Sequence, residues 1–343
     1  MDESSLREPT MIPILKAIAS MKLTLVGLTA LVANSFAVSQ WPEVAIPWLV
    51  LPLSLLAINL LAALLVRHAF RQQAALLLFH VGLLGVLLLV AANVLMRFDG
   101  SVEVVEGTAF DAAGVNDRAR GWLHPDRLDR VNFSQGLLEV HYRSGLQRDT
   151  THSRVVLNRP DGNGIERDIG DRVGFTSNGY RLMTTSNKGY SVLVLWREAG
   201  GRETFGVVNF PSYPRFDWKQ VNDWITPAGE TLTLELKLAK RVPEDGPWTL
   251  RSRDVGYEVG ISSAAQPERV IEPRQSIAVK GGEITIVDLR LWMGYRIDYN
   301  PLLPWLLTAA FLSLGALAVH MAQKFRVPRA AESVPINGGE QAA

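Results

Sequence analysis

The 343-residue chain contains no cysteine. That excludes thiol–disulfide exchange, thiolate metal sites and covalent attachment of haem to this chain, and any large extracytoplasmic domain must stand on its own hydrophobic core. Excess charge of one sign is equally absent: 35 Lys and Arg face 34 Asp and Glu, so there is no basic field for nucleic acid. No H-E-x-x-H, G-x-S-x-G or glycine-rich phosphate loop occurs, which removes the commonest hydrolase and nucleotide-binding readings. Repeats of fixed period and low-complexity linkers are missing too.

What the chain does have is four long apolar runs, Leu23 to Val38, Ile46 to Val66, Ala74 to Met96 and Leu302 to Ala322. A helix of roughly 20 apolar residues crosses about 30 Å of hydrocarbon, and the last three runs meet that length outright. The first meets it once Met21, Lys22 and Ser39 to Trp41 reach into the interfaces. The expected fold is a membrane α + β protein. It has a cytoplasmic segment 1–22, three transmembrane helices at 23–41, 46–66 and 74–96, a mainly-β extracytoplasmic domain at 97–300, a fourth transmembrane helix at 301–322 and a cytoplasmic tail at 323–343.

Orientation follows from basic residues near the span ends. Arg7, Lys16 and Lys22 precede the first span, Arg67, His68 and Arg71 separate the second and third, and Lys324, Arg326 and Arg329 follow the fourth, whereas Gln40 to Ala45 has no Lys or Arg. Both termini are therefore expected in the cytoplasm of a multi-pass inner (plasma) membrane protein. Trp41, Trp48, Tyr299 and Trp305 then fall near the outer surface, where amphipathic rings prefer to sit. A cleavable signal peptide is the competing account of the first run; it leaves the large domain on the same side. Residues from about 331 onward have the composition of a disordered tail.

Alternation of apolar and polar residues predicts strands at Val102 to Val105, Leu138 to Tyr142, Tyr190 to Trp196, Leu232 to Leu238 and Ile284 to Leu291, with turns at Asp161 to Gly164, Glu198 to Gly201 and Lys280 to Gly282. One or two antiparallel sheets folded on each other are expected. Asp161, Asn163 and Glu166 superficially suggest a calcium loop, but their order and glycine positions fit a surface turn. His141 is read as solvated, and His124 and His152 as loop residues.

Histidine inside an apolar run is different, because an ionisable group in hydrocarbon needs a partner. His80 lies about seven residues beyond Gln73, roughly 10 Å along a helix. Its neutral imidazole can ligate a metal through one nitrogen while the other donates to a carbonyl. Haem iron suits such a greasy site, with Leu77, Leu78, Val81 and Leu84 beside the macrocycle. A structural hydrogen bond between helices accounts for the same residue equally well. His320, about four residues before Lys324, is within reach of the interface and is only a secondary candidate for cofactor binding.

Several motifs carry a family resemblance. Ser20-Met-Lys-Leu-Thr-Leu25, Phe79-His-Val-Gly-Leu-Leu84, Asp99-Gly-Ser-Val-Glu103, Glu106-Gly107, Gly179-Tyr-Arg-Leu182 and Met293-Gly-Tyr-Arg-Ile-Asp-Tyr-Asn-Pro301 resemble, in this order, the ResB family of cytochrome c biogenesis proteins. The resemblance covers about residues 10 to 325. It implies a System II role in which a CcsA-type membrane partner and this chain move haem b across the membrane and support its covalent attachment to apocytochrome c. His80 matches the family's third-span haem ligand. The partner's further histidines and tryptophan-rich haem-handling segment are lacking here, so the chain is expected to be at most a non-catalytic or co-catalytic subunit of a holocytochrome c synthase complex. A second axial ligand would come from the partner, water or His320. Two other classes stay open: a membrane-anchored sensor or scaffold in which His80 only packs helices, and a b-type haem electron carrier.

Overall fold

A computed structural model describes residues 11–41, 46–158, 164–171, 173–240, 242–243, 245–264 and 266–326. Its contacts divide the chain into a helical unit, drawn from the residues before 97 and after 300, and a β unit, Arg97–Asn300.

The helical unit comprises α1 (Met11–Ile18), α2 (Met21–Gln40), α3 (Val50–Val66), α4 (His68–Gln72), α5 (Ala74–Met96) and α6 (Leu303–Arg326). Four helices are long and apolar enough to cross a membrane: Met21–Gln40, Ile46–Val66, Ala74–Met96 and Leu303–Phe325. The short α4 falls in what the sequence marks only as a turn. Packing runs α2 on α3, α3 on α5 and α5 on α6, with α1 also on α3.

Small residues set the two closest approaches. A Cβ on Gly82 would run into Ser313 Oγ, and one on Gly27 would stand 2.7 Å from Leu56 Cδ2, so neither helix pair could close as tightly around a larger residue. Much of the remaining apolar surface faces outward. Val32 and Phe311 are 70% and 71% exposed, which is characteristic of surface that meets lipid or another protein.

The β unit is built on two long antiparallel neighbours, β7 (Tyr180–Glu198) and β15 (Gly282–Tyr299). Together with β1 (Phe98–Val105), β2 (Asn116–Arg120) and β6 (Gly174–Ser177) they form the path β2-β1-β15-β7-β6, while β14 (Ser276–Val279) adds to β15 and β8 (Glu203–Asn209) adds to β7. A second sheet contains β13 (Gln266–Ile271), β12 (Tyr257–Ser263), β10 (Thr231–Leu238) and β9 (Val221–Ile225). A third contains β11 (Trp248–Leu250), β3 (Phe133–Tyr142), β4 (Arg148–Asn158) and β5 (Gly164–Ile169). Every pairing is antiparallel. The five predicted strands all lie within observed ones, but among the described residues the sheets number three rather than one or two. Their alternating inward residues, such as Val192, Val194, Ile284 and Ile286, are fully buried and form one core.

Polar anchors pin this core together. Glu106 is buried and its carboxylate accepts from the backbone N–H of Leu138 at 2.7 Å, the N–H of Leu291 at 3.1 Å and Ser252 Oγ at 2.7 Å. The adjacent Gly107 has φ +76, a conformation that calls for glycine, and Arg290 Nη1 fills the space where a Cβ would stand. Arg290 in turn donates to the Glu106 carbonyl at 2.7 Å. Tyr295 donates to Gln135 Oε1 at 2.5 Å and lies 3.2 Å from Ser153 Oγ. On the sheet's margin Arg296 pairs with Asp99 at 2.5 Å.

One histidine differs from its sequence reading, and another keeps its loop position but is buried. His152 sits on β4, not in a loop, and pairs with Asp168 at 3.0 Å; its preceding threonines are β-branched and favour strand. His124 is in a loop but only 9% exposed. It stacks on Phe98 and meets Tyr180 and Tyr299 edge-on. Asp126 N–H donates to its Nδ1 at 3.2 Å, so in the neutral ring the proton resides on Nε2, 2.9 Å from Tyr180 Oη. Tyr299 is thereby half-buried within the β unit. His141 is half-buried, 2.9 Å from Thr249 Oγ1. The proposed turn from Asp161 lies mostly outside the described residues, and Glu166 approaches Arg154 at 4.0 Å.

Burial holds the His124 pKa below its ordinary value, Arg120 lowering it further and Asp126 opposing. Below about pH 6.5 the unfolded chain therefore takes up a proton that the folded unit resists. The stability contributed by neutral His124 is full above that pH and drains away as the pH falls towards the lower folded value. Thermal midpoints measured from pH 7.5 down to 5.5 should decline less steeply for His124→Gln than for the wild type. Equal slopes would remove His124 as a source of acid sensitivity.

Candidate functional site: an imidazole on an apolar cavity

The helical unit holds a partly open cavity of about 400 Å³, within the roughly 300–1,000 Å³ typical of small-molecule sites. Its apolar walls come from Leu28 and Leu31 of α2, Leu56 and Leu60 of α3, and Leu83 and Leu87 of α5. His80 occupies the same face of α5, because positions i, i+3 and i+7 line one stripe. The Phe70 ring of α4 packs 4.5 Å from the imidazole and Phe79 packs 4.8 Å from it. Leu78 and Val81, expected to flank a cofactor, are instead 53% and 47% exposed, and Leu77 and Leu84 do not line the cavity. Helical periodicity gives the wall to residues three and seven positions further on.

The imidazole has a defined hydrogen-bonding state. Nδ1 stands 2.8 Å from the Leu76 carbonyl, an acceptor only, so Nδ1 carries the proton and donates. Nε2 keeps its lone pair, and no hydrogen bond reaches it among the described residues. This is the arrangement by which a backbone carbonyl fixes the tautomer and orientation of a ligating histidine.

Polar groups close one end of the cavity by capping a helix corner. Where α1 ends, its last carbonyls lack intrahelical partners. Asn59, itself buried, donates through Nδ2 to the carbonyls of Ile18 at 2.5 Å and Ser20 at 3.1 Å, while its Oδ1 accepts from Thr24 Oγ1 at 2.7 Å. Arg67 Nη2 donates to the Ala19 carbonyl at 3.1 Å. Thr24, Asn59 and Arg67 all line the cavity. It therefore combines an imidazole, a guanidinium, a hydroxyl and an amide with a mostly apolar wall, a donor set suited to an apolar group that carries both a metal and an acid.

His320 is not brought to this cavity. Gly82 and Gly85 face Ser313 and Ala309 of α6, and they lie about 200° and 140° around α5 from His80. The helix carrying His320 thus packs on the opposite side of α5. Sequence reasoning missed Asn59, Arg67 and Phe70. A polar amide inside an apolar run was the available signal for Asn59; nothing local marks the other two as neighbours of His80. Among the described residues no cluster of three or more His, Asp or Glu could hold a bare metal ion. Compared with known proteins, the chain matches no family model and no curated protein.

Proposed function

We propose that this chain is a ResB-family component of System II cytochrome c maturation, inserted in the plasma membrane with both termini cytoplasmic and its β unit outside. The observation that carries this reading is His80, an imidazole with a fixed tautomer and an uncommitted Nε2 on the wall of an apolar cavity. Insertion is supported by the four apolar helices and their outward-facing side chains, and orientation by the basic residues at their ends.

The cavity's residues fit haem b. His80 would hold the iron through Nε2, Arg67 would meet an acidic substituent, and the leucines of α2, α3 and α5 would cover the macrocycle. When bound, haem supplies iron and the porphyrin that is finally joined to apocytochrome c. This chain's contributions are to hold the imidazole in one tautomer, to fix the guanidinium by the α1 corner and to keep water from the apolar wall. A CcsA-type partner would provide further histidines and the haem-handling segment, and the β unit would hold the apocytochrome near the delivered group, making the encounter local.

A scaffold role in which His80 merely packs is favoured by one observation, its contacts with Phe70 and Phe79. Purification of the tagged chain from its native membrane separates the two readings. The expected result is a haem absorption band with a copurifying CcsA-type protein. Intact cytochrome c maturation in cells lacking this chain would dismiss the biogenesis role.

A further inference from the structure

Lys188 is a cation on the core side of β7. It shares its face with Tyr190, Val192 and Val194, is 2% exposed, and its Nζ has no hydrogen-bond partner. The period-2 alternation of the strand puts it there, directly beside a bulge in the central ladder. Met293 pairs with Lys188 but Tyr295 pairs with Thr184, so three residues of β7 stand opposite Gly294 alone. Thr185 Oγ1 donates to the Gly294 carbonyl at 3.1 Å, and a Cβ on Gly294 would lie 2.6 Å from that hydroxyl.

Lys188 lines a cavity of about 270 Å³ with Tyr142, Arg148, Asn187, Ser212 and Arg215. Arg148 is paired with Asp171 at 3.0 Å. Arg215 lies over the Phe216 ring, its Cζ 5.4 Å from the centroid, and has no acidic partner among the described residues. Among the described residues neither of these two cations, Lys188 and Arg215, has a carboxylate in contact, and one of them is desolvated, an arrangement that is costly unless an anion completes it.

We propose that this cavity binds a small oxyanion, the phosphate or carboxylate group of a ligand, against the Lys188 ammonium and the Arg215 guanidinium. The site belongs to the β unit and does not depend on the role of His80. Burial brings the Lys188 pKa down to about 8, with Arg148 lowering it further and Asp171 opposing. Burial also raises the phenols of Tyr142 and Tyr213 to about 12 and pushes up that of Tyr190. With Arg148 and Asp171 the charged neighbours, Lys188 is the group that titrates near pH 8, and binding should weaken as the pH rises through that value.

The test is thermal unfolding of the full-length chain in detergent, titrated separately with inorganic phosphate and with acetate against sodium chloride of equal ionic strength. A rise of several degrees in the midpoint at pH 7 is expected with at least one oxyanion. It should shrink at pH 9 and vanish in Lys188→Met, and Arg215→Gln should weaken the apparent affinity about 10-fold. A response to phosphate alone assigns a phosphate group, and one to acetate a carboxylate. Should Lys188→Met not fold, the exposed Arg215→Gln carries the comparison. No response in the wild type, or one that either variant leaves unchanged, overturns the proposal.

Discussion

Replacing His80 with glycine is expected to weaken haem binding on the order of 100-fold or more, since even loss of a partner behind a metal ligand typically costs 10–100-fold. Added imidazole should restore part of the absorption band, because glycine leaves room for a free ring beside the same leucine wall. The rescue distinguishes a ligand from a packing residue: a lost aromatic contact would not be repaired by a ring that coordinates iron. His320→Ala should leave the spectrum unchanged, as α6 packs on the other side of α5. If His80→Gly retains the full wild-type band, the axial-ligand assignment is lost, whatever the variant does to cytochrome maturation.

The second large effect belongs to Glu106. Truncation to alanine removes the acceptor for the Leu138 and Leu291 N–H groups and for Ser252 Oγ. An unsatisfied buried donor costs about 1–3 kcal/mol, so roughly 3–5 kcal/mol of stability should disappear. For a unit of this size that corresponds to a fall of about 6–20 °C in thermal midpoint. Glu106→Gln should lie between the two, because its amide oxygen still accepts while its NH₂ opposes one of the donors. Tryptophan fluorescence during heating provides the measurement. A fall of under about 2 °C for Glu106→Ala would show that water replaces the carboxylate and that the anchor is dispensable.

These two residues mark the division between what the sequence discloses and what only folding reveals. Hydrocarbon length and basic flanks made the four helices legible, although α2 begins at Met21 and α6 continues to Arg326, where Lys324 and Arg326 extend the last turns. Alternation located β1, β3, β7, β10 and β15 because each buries one face of a sheet. Lys188 continues the same face two residues before the predicted strand, and it went unread because a cation breaks the apolar pattern. His124 looked like an ordinary loop residue, since Phe98, Tyr180 and Tyr299 gather around it from distant positions. His80 stood out because an imidazole amid leucines is chemically conspicuous. Arg67 and Asn59 join it through bonds to carbonyls 48 and 39–41 residues away, and hydropathy carries no record of that.

The ladder between β1 and β15 begins where the chain enters and leaves the β unit, with Phe98 opposite Tyr299. The first and last residues of that unit therefore adjoin one shared rung, although about 200 residues of chain intervene, an arrangement in which insertions are well tolerated. Loops between the inner strands can lengthen or shorten without moving the two ends of the unit apart.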